Sequence, residues 1–97
     1  MTIKQISVFL ENRPGKLAEF AAVLSAQKIN LRAISVAESA DFGIVRIIVD
    51  DVFNAVTILK SENYVCTITD VLAVEVRDEP GMLANMIGVL GTEGINI

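Results

Sequence analysis

Apolar and polar residues alternate with two different periods in the first part of the chain. Residues 6–10 are apolar at every second position, which predicts a strand with one face in a core. Residues 17–24 follow the i, i+3, i+4, i+7 spacing of an amphipathic helix, with Leu17, Phe20, Ala21 and Leu24 on one stripe. The residues between them, Asn12-Arg13-Pro14-Gly15, interrupt both patterns and predict a turn.

The periodicity of apolar residues also predicts strands and a helix between residues 29 and 76. Residues 29–37 and 44–49 predict two further strands, and a helix over residues 52–59 follows a capping Asp50 or Asp51. Residues 65–76 form a long β-rich stretch without Gly or Pro, which predicts a fourth strand that continues directly into a fifth. The order βαββαβ predicts an α+β, ferredoxin-like fold, with both helices on one face of an antiparallel sheet.

The segment of residues 6–31 recurs without a gap as residues 72–97, with nine of the 26 aligned positions identical. The second helix stripe contains Leu83, Met86, Ile87 and Leu90, and residues 95–97 begin another strand. The repeat predicts one complete domain over residues 1–70 and the first half (βαβ) of a second over residues 71–97. We therefore expect either a native chain longer by roughly 40 residues, the rest of one repeat unit, or a second copy that supplies the missing elements.

The composition argues against several functional classes for this chain. The net charge is −4 and the eight Lys and Arg are dispersed, which argues against nucleic acid as a partner. No apolar run is long enough to span a membrane, and the lone Cys66 is typical of a reducing cytoplasm. The absence of His removes the commonest general base and metal ligand, so we expect no enzyme, no metal site and no cofactor.

A high apolar content of 53% predicts self-association, as a homodimer or a higher homo-oligomer. The strand patterns suggest that the sheet face opposite the helices is apolar as well. These patterns predict that four residues lie on the open face: Ile34, Val36, Ile44 and Ile48.

The turn after the first strand is the most specific local feature. A helix N-terminus carries unpaired N–H groups and the positive end of the helix dipole, so it stabilises a carboxylate. Gly15 permits close approach of a ligand to the backbone, and Asn12 offers a donor and an acceptor to a zwitterion. Asn30, at the start of the next strand, is expected near the same edge. The simpler interpretation is that Pro14-Gly15 only forms a turn and that Asn12 only caps the helix.

The motif strand-[Asn/Asp]-x-Pro-Gly-x-Leu, an amphipathic helix and then Ile-Asn-[Leu/Ile] resembles the ACT domain family of regulatory modules. The resemblance implies a free amino acid bound at an interface between two ACT units, by the turn after the first strand and the start of the second strand. In the first repeat the matching positions are Asn12, Arg13, Pro14, Gly15, Lys16, Leu17, Asn30 and Leu31. In the second they are Asp78, Glu79, Pro80, Gly81, Met82, Leu83, Asn96 and Ile97.

The chain also departs from serine-binding members of the family. Those members carry a His two residues before the Asn, where this chain has Leu10 and Val76, which suggests a more apolar pocket. Asp78 suits an ammonium group and repels a carboxylate, so the two repeats need not bind equally. The sequence thus favours an amino-acid sensor without catalytic activity. The alternative is an assembly module that binds no small molecule and pairs with a metabolic enzyme.

Overall fold

A computed structural model describes residues 1–97. It contains four strands and three helices: β1 (Thr2–Glu11), α1 (Lys16–Ala26), β2 (Leu31–Glu38), β3 (Phe42–Val49), α2 (Val52–Ser61), β4 (Val65–Leu72) and α3 (Met82–Thr92). The strands form one sheet in the order β2-β3-β1-β4, with every neighbouring pair antiparallel. The predicted βαββαβ arrangement is confirmed.

The core lies between the sheet and helices α1 and α2. Alternate residues of β1 and β3 point to the helices because successive side chains of a strand lie on opposite faces. Phe20 and Leu24 of α1 and Ala55 and Leu59 of α2 are buried against these strands. The Phe20 ring contacts Tyr64 edge to face, with the ring centroids 5.7 Å apart. Of the two candidate caps, Asp51 caps α2, since its carboxylate accepts a hydrogen bond from the Asn54 N–H.

The composition of the open sheet face differs from the prediction. Ile44 and Ile48 lie on the face opposite the helices, but Ile34 and Val36 do not. They are paired with the core residues Ile47 and Val45, and directly paired residues share a face. Ile34 and Val36 therefore face the helix layer. Both are still about half exposed, at 49% and 54%, because β2 is the edge strand and no helix covers it there.

The strands predicted in the second repeat are not formed. β4 ends at Leu72, which pairs with Thr2 at the start of β1, and the Ala73 N–H then donates to the Met1 carbonyl. Beyond that point β4 has no neighbour, and an unpaired strand cannot satisfy its backbone groups in a sheet. Residues 73–77 and 95–97 are accordingly irregular, and the predictions of a fifth strand and of a returning strand are wrong for this chain.

Helix α3 forms as predicted but packs against nothing. No Cα atom of α3 lies within 8 Å of a Cα atom in another helix or strand, and none of its residues is buried. Its apolar stripe is consequently open to solvent, with Leu83 at 56% and Ile87 at 43% exposure. None of the three helices has the length and the apolar composition that a membrane span requires.

Candidate functional site

The turn between β1 and α1 presents an open helix N-terminus. Gly15 precedes the helix with φ +85°, a left-handed conformation that glycine adopts without steric cost. The Lys16 N–H bonds the Arg13 carbonyl (3.2 Å) and the Glu19 N–H bonds the Gly15 carbonyl (3.0 Å). The N–H groups of Leu17 and Ala18, which lie between these two, have no protein acceptor and remain available to an anion.

Asn12 is not the helix cap, so that part of the simpler interpretation is wrong. Its Nδ2 donates to the carbonyls of Ser39 and Ala40 at 3.0 and 3.4 Å, and its backbone N–H donates to the Asp41 carbonyl at 3.0 Å. Because both side-chain neighbours are carbonyl acceptors, the amide nitrogen must face them. Asn12 thus ties the turn to the β2–β3 connection, and its Oδ1 has no protein partner. An acceptor at this place suits an ammonium group.

Two exposed ion pairs flank the turn. Arg13 Nε lies 2.8 Å from Glu11 Oε2, and Lys16 Nζ lies 3.3 Å from Glu19 Oε2. The Lys16 side chain is the least exposed of the four, at 31%. Pairs in solvent contribute little to stability, typically 0–1 kcal/mol, so either cation can turn to a bound carboxylate at small cost.

A pocket of about 210 Å³ opens beside the turn, between the start of α1 and strands β1, β2 and β3. Its apolar lining consists of a floor of the buried Leu10, Gly43 and Val45 and of the half-exposed Leu17 and Val36. Its rim is polar and consists of Glu11, Asn12, Arg13, Lys16 and Glu38. The pocket therefore offers an apolar interior together with groups of both charges at its mouth.

Asn30 and Leu31 lie at the opposite end of the sheet from this pocket. The Asn30 N–H is held by Asp50 Oδ1 at 3.1 Å, and the Asp50 N–H bonds the Asn30 carbonyl at 3.3 Å. Strand β2 separates Asn30 from the Asn12 turn by eight residues, or about 25 Å at roughly 3.3 Å per residue. The expectation that Asn30 returns near the same edge is wrong within one unit. A shallow hollow lined by Lys28, Ile29, Asn30 and Leu31 occupies that end instead.

The second repeat reproduces the turn but not the pocket. Gly81 has φ +88°, the Met82 N–H bonds the Glu79 carbonyl, and the Asn85 N–H bonds the Gly81 carbonyl, as at the equivalent positions of the first repeat. The charges are exchanged, however: Arg77 and Glu79 form the ion pair, at 3.0 Å, and Met82 replaces Lys16. No sheet lies behind this turn, and Asn96 and Ile97 follow α3 without regular structure.

Four pocket residues from strands β2 and β3 were not among the predicted site residues: Val36, Glu38, Gly43 and Val45. Val36 and Glu38 belong to β2, and only the register of β2 against β3 brings them to the Asn12 turn. Gly43 could have been identified from the sequence, because it is an isolated glycine at the edge of a β-branched run. Close approach of another group is common at such a glycine.

No group of three or more His, Cys, Asp and Glu side chains is placed to hold a metal ion. Burial raises the pKa of Tyr64, and the nearby carboxylates of Glu19 and Glu62 raise this pKa further. Tyr64 is therefore neutral at physiological pH. Cys66 packs against the core as a small apolar residue.

Comparison with known proteins relates this arrangement to a family. A protein from Bacteroides thetaiotaomicron is 46% identical with a TM-score of 0.92, over 97% of this chain and 65% of its own. This chain thus spans less than two thirds of that relative. The regulatory subunit of aspartate kinase from Thermus thermophilus, in its ligand-free form, is 19% identical with a TM-score of 0.73, over 97% of this chain and 72% of its own. At that identity the likeness concerns the fold alone.

The structure of aspartokinase alpha and beta subunits likewise shares the fold, with 16% identity and a TM-score of 0.61 over 99% of this chain and 76% of its own. No curated protein matches the sequence. The family model described as an ACT domain pair matches residues 1–97, the whole chain. With the βαββαβ sheet and the repeated Pro-Gly turn, this match shows that the chain belongs to the ACT domain family, regulatory modules whose members bind amino acids.

Proposed function

We propose that this chain binds a free amino acid at the β1–α1 turn and regulates another activity without catalysing a reaction itself. The observation that carries the proposal is the coincidence of two features. The N–H groups of Leu17 and Ala18 have no protein acceptor, and Leu17 lines a pocket of about 210 Å³. That volume is below the ~300 Å³ at which pockets for drug-sized ligands begin, so it suits a very small molecule.

The rim supplies a partner for each end of a zwitterion. The ligand carboxylate would accept hydrogen bonds from the Leu17 and Ala18 N–H groups, with Lys16 as counter-ion. The ligand ammonium group would donate to Asn12 Oδ1 and lie near the Glu38 carboxylate. A ligand bound in the reverse orientation would bring its carboxylate close to Glu38, and Coulomb repulsion disfavours this arrangement.

The position of Asn30 is compatible with a site shared by two units. If two units pair antiparallel through their β2 edges, the start of one β2 lies beside the end of the other. Asn30 and Leu31 of the second unit would then reach the Asn12 turn of the first. The half-exposed Ile34 and Val36 support this arrangement, because a neighbouring unit at the β2 edge would cover them.

Regulation would follow from this shared site. A ligand that contacts both units binds the paired arrangement better than separate units, and it therefore shifts the population toward the paired state. The second unit can be another copy of the chain or a second repeat. In the second repeat, residues 78–83 with Asn96 and Ile97 are the corresponding positions, and Asp78 together with the loss of the Lys16 cation makes carboxylate binding weaker there.

The alternative is a module that only assembles with itself or with an enzyme subunit. Exposed apolar side chains on the second repeat, Leu83, Ile87 and Val89, favour a partner without requiring a ligand. Under this alternative, none of the amino acids would change the stability of the chain.

The test is a screen of the twenty amino acids by thermal shift, followed by calorimetry. A true ligand at 100 times its Kd should stabilise the chain by about 2.7 kcal/mol. Asn12→Ala should then weaken binding by about 1–3 kcal/mol, since the ligand ammonium group loses an acceptor. Asn85→Ala, an exposed Asn of α3, serves as the control and should bind like the wild type. Absence of any stabilisation across all twenty amino acids would count against the proposal.

A further inference from the structure

Gly43 creates the deep part of the pocket. It lies on the helix-facing side of β3, in register with Leu10 on β1 and Glu38 on β2. The other residues on this side of β3 are Val45, Ile47 and Val49, all β-branched and buried. At Gly43 the row of side chains is interrupted, and the gap opens into the pocket beside the Asn12 turn.

Neither backbone conformation nor crowding requires glycine at this position. Its φ lies outside the left-handed region, and a Cβ atom would meet only the carbonyls of Ala37 and Leu10, at 3.9 and 4.0 Å. These are ordinary van der Waals distances. The structural effect of Gly43 is therefore the space that it leaves, which a larger side chain would occupy.

The apolar lining of the pocket determines which ligand side chains can occupy this space. Leu10 and Val45 are buried and apolar, and the half-exposed Val36 closes one side. A polar ligand side chain placed there would lose its water without gaining a partner, which is costly. The polar groups of the pocket stand at the rim, where they face the ligand's own carboxylate and ammonium groups.

We infer that the ligand is an amino acid with a short aliphatic side chain, of valine to leucine size, and that Gly43 sets the size limit. The inference rests on the proposed function. Each methylene buried against the floor contributes about 0.8 kcal/mol, which is about four-fold in affinity. Valine and leucine should therefore bind at least about ten-fold more tightly than alanine.

The experiment is calorimetric titration of the full chain with glycine, alanine, valine and leucine, and then with serine, aspartate and lysine. The variant is Gly43→Ala. The control is Gly88→Ala in α3, where an added Cβ meets no atom within 4 Å and φ is, as at Gly43, outside the left-handed region. Thermal unfolding without ligand checks that each variant is folded.

Gly43→Ala should lower the affinity for leucine at least about ten-fold, because its methyl group takes the place of ligand carbons. The affinity for alanine should stay within about two-fold, and Gly88→Ala should leave both unchanged. Tightest binding of serine, aspartate or lysine, or an equal loss for alanine and leucine in Gly43→Ala, would overturn this inference and leave the proposed function standing. Absence of binding by any amino acid would overturn both.

Discussion

At the scale of single residues, the two repeats reveal one backbone position that is poorly matched to its side chain. Lys28 follows α1 in the left-handed conformation, with φ +57°, and the equivalent residue after α3 is Gly94, with φ +74°. Glycine is the usual residue at this helix end, because a Cβ atom is strained there. The second repeat thus carries the residue that the backbone favours, and the first repeat does not.

Lys28→Gly should stabilise the chain by about 0.5–1 kcal/mol, since relief of the left-handed strain exceeds the extra freedom that glycine gives the unfolded chain. Urea denaturation of the free protein measures the change. Lys28→Ala is the control: it removes the amine but keeps a Cβ, and it should remain within about 0.5 kcal/mol of the wild type. If both variants stabilised the chain equally, the cause would be loss of the lysine charge. That result would contradict the explanation by left-handed backbone strain.

At the scale of elements, α1 and α3 come from the same repeated sequence and differ in what surrounds them. Leu24 and Leu90 are identical residues at equivalent positions, but Leu24 is 1% exposed under the sheet and Leu90 is only partly covered. Helix formation follows from the local pattern in both cases. Burial does not, because it requires a sheet face opposite the stripe, and only the first repeat has one.

Leu24→Ala should cost about 2–5 kcal/mol, the usual loss for a leucine removed from a packed core. Leu90→Ala should cost less than about 1 kcal/mol in the same urea titration, because few contacts are lost. A large loss for Leu90→Ala would mean that α3 is packed in solution, against another copy of the chain.

At the scale of the whole molecule, the β2 edge has the features of a contact between units. Edge strands with free backbone groups readily pair with a second chain. Here the edge also carries Ile34 and Val36, which face the helix layer without a helix above them. Covering them would join two sheets into one and complete the proposed shared site.

Ile34→Lys should weaken self-association at least about ten-fold, since pairing at this edge would bury an unpaired charge. Sedimentation velocity over a concentration series measures the change. Val65→Lys is the matched control, because Val65 is 65% exposed on the open sheet face, at the opposite edge of the sheet. Dissociation by Val65→Lys instead would place the contact on the open face.

Four strands, three helices, the ferredoxin-like order and the Pro14-Gly15 turn could be predicted from the sequence, because these features depend on periodicity and on local backbone preference. Three further features depend on contacts between elements that are distant in sequence. Strand β4 ends at Leu72, opposite Thr2 at the start of β1, because beyond this point it has no neighbouring strand. In the register of β2 against β3, Ile34 and Val36 lie on the helix side of the sheet and not on the predicted open face. The same register pairs Glu38 with Gly43. The length of β2 placed Asn30 far from Asn12. Pairing, register and distance join residues remote in sequence, and a local pattern carries no information about them.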